Sequence, residues 1–204
     1  MNNKILNLYK KLLKENGEPK GQWSVWAKRP KTTREREQIV IEAILTQRTN
    51  WKNVQIAMKN LRRVRADSLR GIYNLKSAAR LAPLIKSSGF YRQKSAYLFD
   101  LAKWIIDKYG GLEDVQKEPL GVLREKLLAQ KGVGPETADS ILLYALDKPV
   151  FVIDEYTRRL LRAKSIAQRT KYEELRALFE KNLPRNWRLY QDFHALIVIE
   201  GKTE

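Results

Sequence analysis

The sequence predicts an all-α protein. Apolar residues recur three or four positions apart through most of the chain, as in Val54, Ala57, Met58 and Leu61, and this spacing places them on one face of a helix. The extended apolar run at residues 150–153 has no second run with which it would pair as a strand. No internal repeat or low-complexity tract interrupts the pattern, so we expect roughly ten helices and no sheet.

The first half of the chain alternates helical patterns with polar or glycine-containing loops. Gly17, Pro19 and Gly21 end the first helix and lead into a predicted loop that contains Trp23 and Trp26. Two tryptophans so close together either line a pocket or fill a core, and the sequence leaves both open. The predicted helices cover approximately residues 3–15, 35–46, 50–62, 77–87 and 93–108.

The charge balance indicates a polyanionic partner. The chain has 40 Lys and Arg against 23 Asp and Glu, which gives a net charge of +17. The basic residues are scattered along the chain, so a basic face of a folded protein is expected rather than a disordered basic arm. Nucleic acid is the simplest partner, and a basic protein without any such partner is the alternative.

The composition also excludes several kinds of site. Without cysteine the chain has no disulfide, no thiolate nucleophile and no cysteine-bound zinc or iron–sulfur cluster, so we expect no cofactor and no metal. No apolar run approaches the ~18 residues of a membrane-spanning helix. The N-terminus leads into a mixed polar helix and not into a secretory segment, so we expect a cytoplasmic protein.

Residues 120–146 contain the most informative local motif, two helical patterns joined by Gly132-Val133-Gly134. Glycines permit unusual backbone angles and a close approach to the backbone. The amides after the turn begin a helix, where an anion is favoured, and Lys131 adds a positive charge. The motif indicates a phosphate-binding helical hairpin. An ordinary connection between two helices with a glycine cap would have the same local sequence.

Carboxylates are the remaining catalytic candidates, because the chain has one histidine and no nucleophile or metal motif. Asp154 directly follows the extended run and stands at the predicted N-cap of the next helix, a role that by itself explains an aspartate there. His194 lies in an apolar helical pattern and is expected to be a core histidine rather than a base. The last predicted helices cover approximately residues 154–162, 172–182 and 187–199.

Together these motifs resemble a known family. The pattern of Gly132-Val133-Gly134, Thr137-Ala138 and Val152-Ile153-Asp154 resembles that of the helix–hairpin–helix (HhH-GPD) superfamily of DNA glycosylases. The resemblance continues in order through residues 45–51, 85–94 and 193–197, and so covers nearly the whole chain.

The resemblance implies a two-lobe fold and a DNA partner. A six-helix barrel lobe would span residues 34–149 and contain the hairpin at about 120–146. Residues 1–33 and 150–204 would form a second helical lobe. The implied partner is double-stranded DNA with a damaged base, bound by a monomer that is associated with the nucleoid and not with a membrane. Asp154 would then be the catalytic residue.

Departures from the family pattern indicate the subclass. Bifunctional members carry a lysine two residues after the second hairpin glycine, where this chain has Glu136, so the amine for Schiff-base chemistry is missing. Many endonuclease III relatives also end in four cysteines for an iron–sulfur cluster. These departures, together with Trp23, Trp26 and Trp51, resemble the 3-methyladenine DNA glycosylase branch.

In that branch aromatic side chains sandwich the extruded base, which implies a pocket formed by Trp23, Trp26, Trp51 and Glu136. Alkylated purines are electron-poor and several are cationic, so each aromatic contact would contribute ~0.5–2 kcal/mol by cation–π attraction. Asp154 would stabilise positive charge on the sugar and orient the attacking water.

The resemblance implies DNA contacts in two segments. Gln47, in the loop before Trp51, is the candidate to fill the gap left by the flipped base. The neighbouring Arg48 stands where asparagine is more usual, which leaves the exact lesion open. The hairpin would contribute Lys131, Gly132, Val133, Gly134 and Thr137.

We therefore predict a monofunctional DNA glycosylase that flips out and hydrolyses alkylated purines of the 3-methyladenine type. Two alternatives stay open. A uracil or thymine mismatch glycosylase would prefer hydrogen-bonding groups to an aromatic sandwich, and a non-catalytic DNA-binding protein would keep the hairpin without the chemistry.

Overall fold

A computed structural model describes residues 4–167 and 171–203, and every regular element in these ranges is helical. None of these helices is both long enough and apolar enough to span a membrane. A 3-10 turn covers Lys86–Ser88 and a π-helical turn covers Ile141–Ala145. The α-helices are α1 (Lys4–Asn16), α2 (Trp23–Trp26), α3 (Thr33–Leu45), α4 (Trp51–Arg63), α5 (Leu69–Asn74), α6 (Ala78–Leu81), α7 (Tyr91–Tyr109), α8 (Leu112–Lys117), α9 (Leu120–Leu128), α10 (Pro135–Ser140), α11 (Glu155–Ala163), α12 (Tyr172–Asn182) and α13 (Trp187–Thr203).

Two predicted elements differ from the structure. The predicted loop at Trp23 and Trp26 is the short helix α2. The predicted helix over 77–87 is broken into α6 and the 3-10 turn, because Pro83 has no N–H to donate and disfavours helical angles in the residue before it. Residues 150–153 are extended and pair with no strand among the described residues.

Close backbone contacts divide the chain into two compact units. Unit 1 contains the residues up to Arg29 and those from Leu142 onwards, and unit 2 contains Pro30–Ile141. The predicted lobe boundaries lie a few residues further along the chain at both crossings.

An aromatic core holds unit 1 together. The rings of Phe151 and Phe179 stack with centroids 4.0 Å apart, and the ring of Phe193 packs against both. Because Phe151 lies in the extended run, this packing fixes the backbone that leads to Asp154. The side chain of Asp154 then caps α11 by accepting a hydrogen bond from the Thr157 N–H.

In unit 2 the C-terminal half of helix α3 lies in the core. Its last seven residues, 39–45, are all buried. A capping box starts the helix, in which the Thr32 hydroxyl accepts from the Glu35 N–H and the Glu35 carboxylate accepts from the Thr32 N–H. The loop that follows α3 carries Gln47 and Arg48, and Asn50 caps the next helix, α4.

Candidate active site and nucleic-acid interface

The hairpin of unit 2 consists of α9, the turn at residues 129–134 and α10, and its tight bend depends on Gly132. Gly132 has a φ of +81°, in the region that favours glycine. A Cβ atom at this position would lie 2.1 Å from the Tyr97 ring, so the ring also requires a residue without a side chain. The predicted need for glycine is therefore confirmed here twice.

Gly134 differs from Gly132 in both respects. It is the N-cap of α10 with an ordinary φ of −83°, and a Cβ atom added there would meet nothing within 4 Å. Of the two hairpin glycines, only Gly132 uses the backbone angles that glycine permits, because the turn reverses at Gly132 alone. The space in front of the first turn of α10 is open for a ligand.

A buried ion pair connects the two helices of the hairpin. Arg124 of α9 donates from Nε to Asp139 Oδ1 at 2.7 Å and from Nη2 to Asp139 Oδ2 at 3.1 Å. Asp139 of α10 is fully buried, so the pair is shielded from solvent. Such a two-point contact between planar groups fixes the mutual orientation of α9 and α10.

The loop after α3 is tied to the hairpin through Gln47. Its Nε2 group donates to the Gly132 carbonyl at 2.9 Å and to the Thr137 hydroxyl at 3.0 Å. The side chain of Gln47 is therefore engaged inside unit 2, whereas its predicted place in the DNA gap stays a prediction. Arg48 is exposed and has a φ of +50°, an unusual conformation for a residue with a side chain.

A cavity of about 400 Å³ lies beside this loop in unit 2. Phe90, on its wall, was not singled out from the sequence: its side chain is 58% exposed and its φ is +45°. A large apolar side chain held outwards in an uncommon backbone conformation indicates a functional surface. The signal in the sequence was an aromatic residue directly after Gly89, between a turn and a helix. The cavity is lined by Gln47, Arg48, Phe90, Gln93, Lys94, Tyr97, Gly132, Gly134, Glu136 and Thr137.

Lys94 forms the buried side of this region. Its amino group donates to the Leu45 carbonyl at 2.9 Å and to the Ser88 carbonyl at 2.6 Å, which ties the end of α3 to the 3-10 turn. Burial lowers the pKa of Lys94 to about 8. Lys94 therefore holds the segments that carry Gln47 and Phe90 in place.

The other predicted residues of unit 2 have different environments. Glu136 is exposed in the first turn of α10, and Lys131 is exposed before the bend. Trp51 is half-buried at the start of α4. The Val133 side chain is buried in the core, so any contact of this residue with DNA would have to use its backbone.

In unit 1 the Asp154 carboxylate is held at the start of α11, with Oδ1 accepting from the Thr157 N–H at 2.7 Å. The side chain is 14% exposed. Burial raises the pKa of Asp154, but the neighbouring His194 imidazole and the hydrogen bond from the Thr157 N–H outweigh burial, so the pKa lies below the ordinary value for aspartate. Asp154 is thus an ionised carboxylate at neutral pH.

His194 contacts this carboxylate. Its Nε2 atom lies 3.4 Å from Asp154 Oδ2, and its Nδ1 atom lies 2.7 Å from the Tyr144 hydroxyl, which is also 3.1 Å from the Gln191 carbonyl. The ring is buried, as expected for a core histidine, but it is also a direct neighbour of the predicted catalytic residue. We call Asp154, Thr157, His194 and Tyr144 the Asp154 cluster.

The tryptophans of α2 pack around the same cluster. The Trp23 ring lies 5.8 Å from the His194 ring and 5.6 Å from the Tyr144 ring, and the Trp26 ring lies 5.2 Å from that of Tyr144. Both tryptophans are buried, at 5% and 7% exposure. In this structure they cover the cluster with aromatic surface, and their predicted contact with a base stays a prediction.

The structure thus gathers the predicted residues into two groups. Asp154, Trp23 and Trp26 belong to unit 1. The residues of unit 2 are Gln47, Arg48, Trp51, Lys131, Gly132, Val133, Gly134, Glu136 and Thr137. Residues 4–167 and 171–203 contain no group of three or more histidine or carboxylate side chains that could hold a metal ion.

A comparison with family models decides the family. The model described as HhH-GPD superfamily base excision DNA repair protein matches residues 41–185, which include the hairpin and Asp154. This chain belongs to the HhH-GPD superfamily. It is therefore a DNA glycosylase of base excision repair, with the all-α fold that the sequence predicted.

Curated relatives place this HhH-GPD protein near endonuclease III. It is 44% identical over 167 residues to a Methanocaldococcus jannaschii protein provisionally named a DNA repair glycosylase, a match that covers 80% of this chain and 75% of the relative. It is 31% identical over 150 residues to the endonuclease III of Thermotoga maritima, covering 72% of this chain and 65% of the relative.

Solved structures show the same fold over almost the whole HhH-GPD chain. The 3-methyladenine DNA glycosylase MagIII of H. pylori, solved with bound 1,N6-ethenoadenine, matches with a TM-score of 0.78 and 30% identity, covering 98% of this chain and 95% of that chain. An endonuclease III trapped as a covalent intermediate with DNA matches with a TM-score of 0.76 at 19% identity, covering 98% and 85%. This second match shows the fold alone.

Proposed function

We propose that this HhH-GPD glycosylase is monofunctional and excises alkylated purines of the 3-methyladenine type from double-stranded DNA. The observation that carries the proposal is the likeness to the H. pylori enzyme, which extends over nearly both chains at 30% identity and concerns a protein solved with an alkylated adenine derivative. The chain's own residues agree with this chemistry in three respects.

The first is the state of Asp154. An alkylated purine is a good leaving group, so its excision needs a stabilised positive charge on the sugar more than it needs a strong general acid. Asp154, with a pKa below the ordinary value, supplies an ionised carboxylate for this purpose and for orienting a water molecule.

The second concerns the lysine amines that could act as a nucleophile. Glu136 is a carboxylate in the first turn of α10, where the bifunctional pattern has a lysine. The Lys94 amine donates to two carbonyl groups inside unit 2 and is not available as a nucleophile. In unit 1 the Lys202 amine donates to Gln22 Oε1 at 2.7 Å. Hydrolysis without strand cleavage is therefore the reaction we expect.

The third is the exposed surface of unit 2. Arg48, Phe90 and Lys131 are exposed on loops, and the first turn of α10 is open at Gly134. Arginine, lysine and helix-terminal amides contact phosphates, and an apolar side chain such as Phe90 wedges between bases that are being unstacked. With the net charge of +17, these groups form the DNA-binding surface in our proposal.

Base release from defined duplexes tests the proposal. We expect wild-type protein to release 3-methyladenine from methylated DNA and to leave uracil in place. Asp154→Asn should bind the same duplexes but release base at least ~10³-fold more slowly, because the charge on the sugar loses its counter-charge. Asp192→Asn, which removes a carboxylate paired with Arg29, is the matched control and should retain release.

Each other outcome favours a different function. Release of uracil or mismatched thymine without release of methylated purines would establish a mismatch glycosylase. Tight DNA binding without release of any base would establish a non-catalytic binding protein. A covalent adduct between wild-type protein and DNA after borohydride reduction would refute monofunctional chemistry, and Lys202→Ala would then show whether that amine is the nucleophile.

A further inference from the structure

His194 is the one histidine of the chain, and both of its ring nitrogens face polar side chains although its side chain is only 6% exposed. Nδ1 is 2.7 Å from the Tyr144 hydroxyl, and Nε2 is 3.4 Å from Asp154 Oδ2. Nε2 is buried and makes no hydrogen bond of ordinary geometry to any described residue, so the Asp154 carboxylate at 3.4 Å is its polar neighbour by distance alone. The ring thus lies between a hydroxyl and a carboxylate in an aromatic environment.

The positions of the protons follow from what each neighbour can accept. If the Tyr144 hydroxyl donates to Nδ1, the neutral ring carries its proton on Nε2. If the hydroxyl instead donates to the Gln191 carbonyl at 3.1 Å, Nδ1 must carry a proton to donate to the phenol oxygen. A lone pair on Nε2 would then face the Asp154 carboxylate in a low-dielectric interior, which is repulsive, so Nε2 is protonated as well. In both arrangements Nε2 carries a proton, and its N–H group faces the Asp154 carboxylate.

We propose that His194 is a positioning residue of the glycosylase reaction, in which its Nε2–H group holds Asp154 Oδ2 while the Tyr144 hydroxyl holds the ring. This proposal rests on the proposed function of Asp154.

The consequence for the carboxylate is a fixed orientation. Oδ1 accepts from the Thr157 N–H at 2.7 Å and Oδ2 lies 3.4 Å from His194 Nε2, so each oxygen faces a different nitrogen. A carboxylate that must face a reacting sugar loses efficiency with small displacements. The same contact with His194 lowers the pKa of Asp154 against the effect of burial, so the ionised form persists to lower pH.

The position of Tyr144 is itself determined by an unusual backbone feature. Tyr144 belongs to the π-helical turn Ile141–Ala145, and such turns occur frequently at functional sites. Gln191 of α13 donates to the Leu143 carbonyl at 2.8 Å and to Asp147 Oδ1 at 3.1 Å. These bonds attach the turn to the helix that carries His194, so the hydroxyl and the imidazole are held together.

Other ionisable groups surround the cluster and must be controlled in any pH experiment. Lys202 is the most relevant, because the charge of Asp154 raises the pKa of its amine while burial lowers it by more. Other ionisable groups on the neighbouring elements of unit 1 include Tyr9 on α1, the ion pair of Arg29 and Asp192, and Tyr172 on α12. Lys202→Gln is therefore the control for the pH profiles.

The first experiment does not depend on activity. In full-length protein labelled with ¹⁵N-histidine, the single imidazole gives two nitrogen signals whose chemical shifts report which nitrogen is protonated. We expect a protonated Nε2 at neutral pH, and we expect Asp154→Asn and Tyr144→Phe each to change the shifts. An unprotonated Nε2, or shifts that are the same in wild type and Asp154→Asn, would overturn the proposed contact.

The second experiment tests the role of the contact. We compare single-turnover base release across pH for His194→Gln, which keeps an N–H donor, and His194→Leu, which does not. We expect the single-turnover rate of His194→Leu to be about 10–100-fold lower than that of wild type. The acid limb of its pH profile should move up by about one pH unit, because the imidazole that favours the ionised form of Asp154 has been removed. His194→Gln should stay within a few-fold of wild type.

Controls separate this role from a structural one. Affinity for a duplex with a tetrahydrofuran abasic site should not change in either variant. If His194→Leu fails to fold, Tyr144→Phe is the replacement variant, because it keeps the ring and removes only the hydroxyl. Its single-turnover rate should fall by about tenfold. A His194→Leu variant with wild-type rate and pH profile would overturn the proposal. A wild type that releases no base would contradict the proposed function instead, and the nitrogen shifts would still decide whether His194 holds Asp154.

Discussion

The two units each contain an aspartate with little solvent exposure, and the two have opposite environments. In unit 2, Asp139 is fully buried and both of its oxygens accept hydrogen bonds from the Arg124 guanidinium, at 2.7 and 3.1 Å. In unit 1, the Asp154 side chain is 14% exposed, accepts one short bond from a backbone N–H, and faces a histidine at 3.4 Å.

The difference separates a stabilising carboxylate from a reactive one. All the charge of Asp139 is used inside the fold by a paired cation, so this residue can only hold the hairpin together. Part of the Asp154 side chain is accessible to solvent and its oxygens can accept further hydrogen bonds, so its charge can act on a bound molecule.

The largest effect that we expect from this comparison is on stability. Asp139→Asn should lower the free energy of unfolding by about 3–5 kcal/mol, because it removes the fully buried charge that pairs with the partly buried Arg124 guanidinium. Asp154→Asn should change it by less than about 1 kcal/mol, since asparagine caps a helix as well as aspartate does. Urea unfolding followed by circular dichroism measures both.

An exposed ion pair provides the reference for this measurement. Asp114 pairs with Lys117 at 2.6 Å while both side chains are more than half exposed. Asp114→Asn should therefore cost about 0–1 kcal/mol. Equal losses for Asp139→Asn and Asp154→Asn would mean that both aspartates are structural, and would contradict the distinction drawn here.

Local patterns in the sequence predicted most of the helices and the N-cap position of Asp154, because both depend on neighbours in the chain, whereas the catalytic role of Asp154 was implied only by the family resemblance. Helical spacing and capping residues act over a few positions, and the extended run ends directly at Asp154. The predicted helix over 77–87 is wrong, because its helical spacing of apolar residues continues across Pro83, which interrupts the backbone hydrogen bonds.

The contacts of His194 and the role of Phe90 could not be predicted in this way. An apolar helix does not indicate which distant residue its histidine faces, and the partners Tyr144 and Asp154 come from other elements. Likewise, the exposure of Phe90 follows from its left-handed backbone and from the packing of the surrounding turn, which no residue spacing encodes.

The two hairpin glycines give a second, smaller test. Gly132→Ala should lower the free energy of unfolding by about 2–4 kcal/mol, because alanine is strained at a φ of +81° and its Cβ would overlap the Tyr97 ring. Gly134→Ala should change stability by less than about 0.5 kcal/mol, since its φ is ordinary and the space is empty.

For DNA binding we expect Gly134 to matter, although it should matter little for stability. If a DNA phosphate approaches the first turn of α10, the new methyl group of Gly134→Ala occupies that space, and affinity for duplex DNA should fall roughly tenfold by fluorescence anisotropy. Unchanged affinity in Gly134→Ala would show that the open end of α10 is not a phosphate contact, and the hairpin would then be structural only.

The smallest effect concerns Lys131, and it isolates binding from chemistry. Lys131→Ala should weaken binding to all duplexes to a similar extent and reduce the slope of log affinity against log salt by about 1, because one phosphate contact is lost. At saturating enzyme its single-turnover rate should equal that of wild type, in contrast to Asp154→Asn. Lys103→Ala is the control, because the Lys103 amine pairs with Asp107 on its own helix and should not contribute to the slope. A slower single-turnover rate in Lys131→Ala would mean that the hairpin also takes part in the chemical step, and the assignment of binding to unit 2 and catalysis to Asp154 would have to be abandoned.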